Sequence, residues 1–407
     1  MKLVVQVKLE PTPEQTAALE ATLRACNEAA NWLSALGHAR GQVSRRALQC
    51  LAYAQLKARG LAAQPALHVL RKTADAYTVL NANIRNGNLG RPGAKRRRKA
   101  ESKPITFRPG AAQPYDDRCL SWQLDAGTVS IWTTAGRLRG VAFACSRQVR
   151  KMLAEHRKGE SELIHRDGLW FLMATCDVPE ASAIEPTDFI GVDLGIVNIA
   201  TTSDGVIHAG RALNRHRKRQ RELRRKLQKK GTKSAKRVLK RQRRKETRKA
   251  TETNHIIAKR IVTEAERTSR GIGLENLSGI RQRARLKKPQ RVALHSWAFA
   301  QLGRFVEYKA RRAGVPVVYV DPAYTSRRCA ECGYIDKANR VSQARFECRS
   351  CGVVAHADRN GSRNVRALAR ELWRRGAESH APAPGAGAGR GPVVTASGGC
   401  RAASLVP

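Results

Sequence analysis

The sequence predicts an α/β protein in two parts: a β-barrel interrupted by a helical lobe, then a larger α/β domain with a small cysteine module inserted near its end. Three observations support this. A strand-like run at 2–9, "KLVVQVKL", is separated by helical periodicity from further strand-like runs between 105 and 180. An apolar strand near 189 opens a second alternation of strands and helices. Two Cys-x-x-C pairs stand between the last buried strand and the last helix.

Taken in order, the first strand gives way to "PTPEQTAALEATLRACNEAANW", where Thr12 is placed to cap a helix that starts on Pro13. Leu19, Leu23, Cys26 and Ala30 recur at helical spacing, and helical pattern continues over 46–59 and 64–83. Residues 86–104 read as a basic loop punctuated by Gly and Pro. Runs such as "TVSIWT" and "LWFLMATCDV" make 105–180 β structure. The barrel is thus assigned to 1–10 and 101–182, and the helical lobe to 11–100.

The second domain is assigned to 186–326 and 354–376. It begins with a strand, a Gly-Val-Asp-Leu-Gly turn and a hairpin. About half of 211–250 is Lys or Arg with a thin apolar stripe, and Lys-Lys-Gly-Thr marks its middle. A helical hairpin lying along a phosphate backbone is expected there, within a basic insertion at 211–265; a solvated arm is the alternative. Then come the strand "GIGLENL", a basic linker "RQRARLKKPQR", a helix over 295–313, the strand "VPVVYVDP", the cysteine module at 327–353 and a helix over about 360–375. The Pro/Ala/Gly-rich tail, 377–407, is expected to be disordered.

Charge bounds the function. Of 407 residues, 77 are Lys or Arg against 33 Asp or Glu, a formal net charge of +44. Self-repulsion on that scale calls for a polyanionic partner, and nucleic acid is the usual one. Aromatics are only 5% of the chain, which argues against a base-stacking platform and for phosphate contacts. The opening "MKLVVQVKLEPTPEQ" lacks the long apolar core of a signal peptide, and no run approaches the roughly 18 apolar residues of a membrane helix. A soluble intracellular protein is expected. Six of the ten cysteines are scattered singly and read as buried free thiols.

Cys329-Ala-Glu-Cys332 and Cys348-Arg-Ser-Cys351 are each followed by glycine, Gly333 and Gly352. Two thiolates two residues apart reach one ion from a tight turn, and glycine permits the positive φ that such a turn needs. Four soft ligands fill a tetrahedral shell, so the expected metal is structural zinc. The module is too short for an apolar core of its own, and the ion would supply its folding energy.

Acids are scarce, so their placement is informative. Asp193 ends an apolar strand, Glu275 ends another, and Asp358 precedes the last helix. Singly, each also fits a turn or cap, Asp358 as a helix N-cap. Together, the order strand–hairpin–strand, strand ending in Glu, helix, strand, helix is that of an RNase H-like fold, in which these three positions converge. Carboxylates gathered at strand ends form a site for divalent cations, which serve in-line phosphoryl displacement.

The sequence resembles the TnpB (OrfB) family of transposon-encoded proteins, relatives of the type V CRISPR effectors, over nearly all of the chain up to about 375. "GVDLGIVNIATTSDG" resembles the family's first RuvC motif, "GLENLSGIR" the second, and "YTSRRCAECG" with "FECRSCGVVAHADRNGSRN" the zinc ribbon and third motif. "LEPTPEQTAALEATLRACNEAANW" is similar to its N-terminal opening. Departures are modest: Gly361-Ser362 replace two frequent alanines, and Arg327 a frequent glutamine. The resemblance implies an RNA-guided DNA endonuclease of the bacterial or archaeal cytoplasm. Its catalytic acids would be Asp193, Glu275 and Asp358, binding magnesium or manganese, and Cys329, Cys332, Cys348 and Cys351 would hold zinc. It implies a guide RNA and a target DNA as partners, a wedge-like barrel and a helical recognition lobe. A strand-transferring DNA transposase and a non-cutting guided repressor are the alternatives; the intact acid set argues against the repressor.

Overall fold

A computed structural model describes residues 1–278 and 299–376, and the backbone of 393–395. The described residues divide into two compact units, one spanning Met1–Val178 and the other beginning at Pro179.

The first unit is built on β1 (Lys2–Glu10), whose Leu3, Val5, Val7 and Leu9 are buried at strict alternation. Helices α1 (Pro13–Ala39), α2 (Arg45–Ala58), α3 (Ala63–Arg85) and α4 (Lys95–Glu101) follow. Strands β2 (Gln113–Tyr115), β3 (Leu120–Gln123), β4 (Thr128–Thr133) and β5 (Gly136–Ala144) come next, then α5 (Arg147–His156), β6 (Arg157–Arg166) and β7 (Leu169–Asp177). The strands pair in the order β2-β6-β7-β1-β5-β4-β3. Among the described residues no β2–β3 pairing closes this path. The first helix starts as expected: Thr12 accepts from the Gln15 backbone and Gln15 returns a side-chain bond to the Thr12 backbone, a capping box that satisfies two orphan donors. Cys26, Ala30, Leu33, Leu48, Leu56, Val69 and Leu70 join α1–α3 in one core.

Two expectations need correction here. The basic loop at 86–104 contains α4, aided by an Arg97–Glu101 pair one turn apart. The β region at 105–180 contains α5, capped by Ser146 and buried through Val149, Met152 and Leu153. Of the single cysteines, Cys26, Cys119 and Cys176 are buried, Cys145 is half-buried and Cys50 is exposed, so burial is not general. Most of the tail at 377–407, with Cys400, lies outside the described residues; Val393–Thr395 pairs parallel with Val4–Gln6 of β1.

The second unit opens with β8 (Phe189–Asp193), β9 (Asn198–Thr202) and β10 (Ile207–Ala209). Helices α6 (Arg211–Lys230) and α7 (Lys233–Arg267) form the expected basic hairpin. Its turn is made by Gly231 at φ 65° and by Thr232, which caps α7. Then follow β11 (Gly271–Glu275), α8 (Phe299–Ala313), β12 (Val317–Val320), β13 (Arg345–Glu347), β14 (Val354–His356) and α9 (Ala357–Arg374). The linker at 281–291, and the first residues of the helix expected from 295, lie outside the described residues. The sheet runs β10-β9-β8-β11-β12, with β8, β11 and β12 parallel and the hairpin antiparallel. Helix α9 lies on this sheet so closely that a Cβ at Gly191 would stand 2.0 Å from the Ser362 carbonyl oxygen. Glycine there is what lets helix and strand meet.

Candidate active site

Asp193 and Glu275 are the last residues of adjacent parallel strands, with Leu274 opposite Val192 in the register. Carboxyl ends of parallel strands are where such sheets place their sites. The Glu275 carboxylate is buried and accepts a bond from Thr325 Oγ1 at 2.7 Å and another from the Leu194 backbone. Helix α9 supplies the third acid. Asp358 is buried, and it accepts from Asn198 Nδ2 at 2.9 Å and from Arg340 Nη2 at 3.2 Å. On the same helix, a Cβ at Gly361 would stand 3.5 Å from Asp193 Cγ. All three acids expected from the sequence therefore face one region.

One detail differs from expectation. Asp358 is not the N-cap: α9 begins at Ala357, and the cap is His356, whose Nδ1 accepts from the Asp358 backbone at 3.3 Å. Asp358 lies in the first turn, where the helix dipole favours an anion, and both its oxygens point to side chains of the site.

The electrostatics are strained. Burial, then the charges of Glu275 and Asp358, hold Asp193 well above the usual carboxylate range. Burial pushes Glu275 up to about 7 despite the bonds from Thr325 and Leu194. Like charges crowded in a desolvated place call for a cation, and all-oxygen donors suit a hard divalent ion. The carboxylates fit such ions. They are not among the sets of three whose ligand atoms all lie within 4.8 Å of one another; among the described residues these are the cysteine tetrad and a second group, His68, Asp116 and Cys119.

The tetrad is compact. Cys329 and Cys351 Sγ are 3.7 Å apart, and Cys332 and Cys348 Sγ are 3.5 Å apart. Four sulfurs about 2.3 Å from one zinc would be about 3.8 Å apart, so the set fits the ion. Gly333 at φ 77° and Gly352 at φ 71° each donate back to the first cysteine of the pair at 3.0 Å, giving two matching turns. Backbone donors from Cys351 and Ser350 hold the Cys348 thiol down to about 6, ready to ligate. Phe346 and Ala357 are buried with Cys329 and Cys348 beneath the turns.

Several residues that tie this module to the acids escaped the sequence reading. Arg340, between the cysteine pairs, is the partner of Asp358. Asn360 Nδ2 donates to the Arg328 carbonyl at 2.8 Å, and Asn364 Nδ2 donates to the carbonyls of Thr325 at 2.9 Å and Arg328 at 2.7 Å. The Asn360/Asn364 spacing, one helical turn on the face that meets the module, was the legible signal.

Comparison with known proteins now bears on the whole. Residues 174–278 match a family model described as "Probable transposase" for OrfB proteins, and residues 299–365 match the TNB domain of Cas12f1-like proteins. Over these two segments the chain is similar to OrfB (TnpB) and Cas12f1-like proteins. A TnpB-like protein of Methanocaldococcus jannaschii is 36% identical over 26% of this chain and 37% of its own. A CRISPR-associated endodeoxyribonuclease Cas12f1 of Sulfoacidibacillus thermotolerans is 42% identical over 28% of this chain and 26% of its own. InsQ of Escherichia coli (strain K12), whose name describes an RNA-guided DNA endonuclease, is 29% identical over 49% of this chain and 53% of its own. The chain thus spans between about a quarter and a half of the length of these TnpB and Cas12f relatives. Its fold is similar to the protein in a cryo-EM structure of a Cas12f1-sgRNA-target DNA complex, with a TM-score of 0.53 at 14% identity, covering 86% of this chain and 82% of that one. Among the described residues no helix is long and apolar enough to cross a membrane.

Proposed function

We propose that this chain is a TnpB-family RNA-guided DNA endonuclease whose second unit is an RNase H-like (RuvC) nuclease domain with an inserted zinc ribbon. The observation that carries the reading is the convergence of Asp193, Glu275 and Asp358 from two parallel strand ends and one helix start. The sheet order β10-β9-β8-β11-β12, with its antiparallel hairpin, supports the RNase H-like assignment. Magnesium or manganese, when bound, would supply the Lewis acid that activates a water and neutralises the leaving oxygen. Asp193, Glu275 and Asp358 would hold it, and their spread beyond one tight cluster suits two ions. Thr325 and the Leu194 backbone fix the Glu275 carboxylate. Asn198 and Arg340 fix Asp358, and the Arg340 guanidinium adds positive charge where a scissile phosphate would lie.

A guide RNA would give sequence recognition by pairing with one target strand, while the protein holds the heteroduplex through its backbone. The net charge of +44 and the exposed Lys and Arg of the α6–α7 hairpin suit that task. The first unit, read as a β-barrel with a helical insertion, would read a short motif beside the target. The protein would act on DNA in a bacterial or archaeal cytoplasm. The test is to purify the chain from its host and sequence the bound RNA. A discrete RNA encoded beside its own gene supports the guided reading. Random fragments, with joining of DNA ends in place of cutting, would favour strand transfer.

A further inference from the structure

The first unit holds a second set of metal-ligating side chains that the nuclease reading leaves unused. His68, on α3, faces the turn between β2 and β3, which carries Asp116 and Cys119. One ligand atom from each of the three lies within 4.8 Å of the other two. His68 and Cys119 are each only 4% exposed. His68 Nε2 stands 3.7 Å from Asp116 Oδ2. That is too long for a direct hydrogen bond, and near the roughly 3.4 Å expected between nitrogen and oxygen ligands on one tetrahedral zinc.

We propose that His68, Asp116 and Cys119 bind a second zinc ion, which staples helix α3 to the β2–β3 turn. Nitrogen, oxygen and sulfur donors are the usual zinc set. Charge favours it: a dication with one thiolate, one carboxylate and a neutral imidazole is neutral overall, which suits a buried place. Binding breaks the Cys119 S–H bond, and its proton leaves to solvent. The ligands are also held from outside. Gln64, one turn before His68, donates to Asp116 Oδ2 at 3.0 Å, and the Cys119 backbone donates to Asp116 Oδ1 at 3.2 Å. This site is independent of the nuclease reading. The competing account is a metal-free turn in which the Cys119 thiol donates to Asp116.

The test is the zinc content of the full chain, by mass spectrometry of metal and protein after dialysis. The expected result is two zinc ions per wild-type chain, one in Cys119→Ser and one in Cys348→Ser. Cobalt in place of zinc should show thiolate charge transfer from both sites, and Cys119→Ser should keep only that of the ribbon. Asp116→Asn gives a second variant if Cys119→Ser does not fold, with one zinc again expected. A single zinc in the wild-type chain, or two retained in Cys119→Ser, would overturn the proposal.

Discussion

Arg340 Nη2 lies 3.2 Å from Asp358 Oδ1, joining the loop between the two cysteine pairs to the acid that opens α9. The contact makes the small cysteine module part of the acidic site. Asp358 is nearly fully buried, so losing Arg340 leaves one carboxylate oxygen without its charged partner. Asn198 still serves the other oxygen. Arg340→Ala should therefore cost about 1–3 kcal/mol, read by urea unfolding of the zinc-loaded protein without added magnesium. DNA cleavage should fall at least tenfold while the ribbon's zinc is retained. Unchanged cleavage would remove Arg340 from the site.

Zinc removal should act on the nuclease at a distance. Cys348→Ser breaks the tetrad, and Cys329, Phe346 and Ala357 share one buried cluster with Cys348. Ala357 is next to Asp358, so loss of the ion should displace both Arg340 and Asp358. The expected outcome is loss of the ribbon's zinc together with loss of cleavage. RNA binding by the same variant, measured by filter retention, should fall much less.

The acid cluster sets a pH dependence. Glu275 is raised in the folded chain from its ordinary 4.5 to about 7, mainly by burial. The folded state therefore holds a proton that the unfolded state has released. Its stabilising effect is fully present below about pH 4.5 and is lost as pH rises through about 7. Asp193 shifts in the same direction. Without divalent ions, Glu275→Gln should match the wild type near pH 4.5 and become progressively more stable than it up to pH 7–8. Added magnesium should narrow that gap above pH 7. A gap independent of pH would mean that burial does not raise Glu275 in the folded chain.

No steric constraint requires glycine at 361. A methyl there would make an ordinary contact 3.5 Å from Asp193 Cγ. Gly361→Ala should stabilise the chain by about 0.5–1 kcal/mol, the usual cost of glycine inside a helix. Chemical denaturation reads this directly.

The basic hairpin should be felt in salt. Lys226, Lys229, Lys233 and Lys236 are exposed along α6 and α7. Replacing all four with Gln should lower the slope of log binding constant against log salt by up to about three, since each lost phosphate contact removes somewhat under one unit. An unaltered slope would make the hairpin a solvated arm.

What the sequence made legible follows from range. Thr12 and Pro13 announced α1 because a capping box is spelled within four residues. Gly333 and Gly352 marked the turns of the cysteine pairs because a positive φ is local. Asp193 and Glu275 stood out because an acid ending an apolar strand is costly without a ligand. Arg340 and Thr325 gave no such signal, since their roles arise only where distant segments meet. Helix α5 was missed because its apolar positions, Val149, Met152 and Leu153, cover little more than one turn of a ten-residue helix inside a β-rich stretch. Asp358 was misassigned as a cap because His356 is a rarer capping residue than aspartate.

The most direct test of the central claim is cleavage of a DNA matched to the bound RNA, in magnesium, by the wild-type chain and by Asp193→Ala. The expected result is cutting by the wild type, loss of cutting by at least a thousandfold in the variant, and equal RNA retained by both. Cutting by Asp193→Ala at the wild-type rate would contradict the assignment of the acids, and with it the account of how this chain acts on DNA.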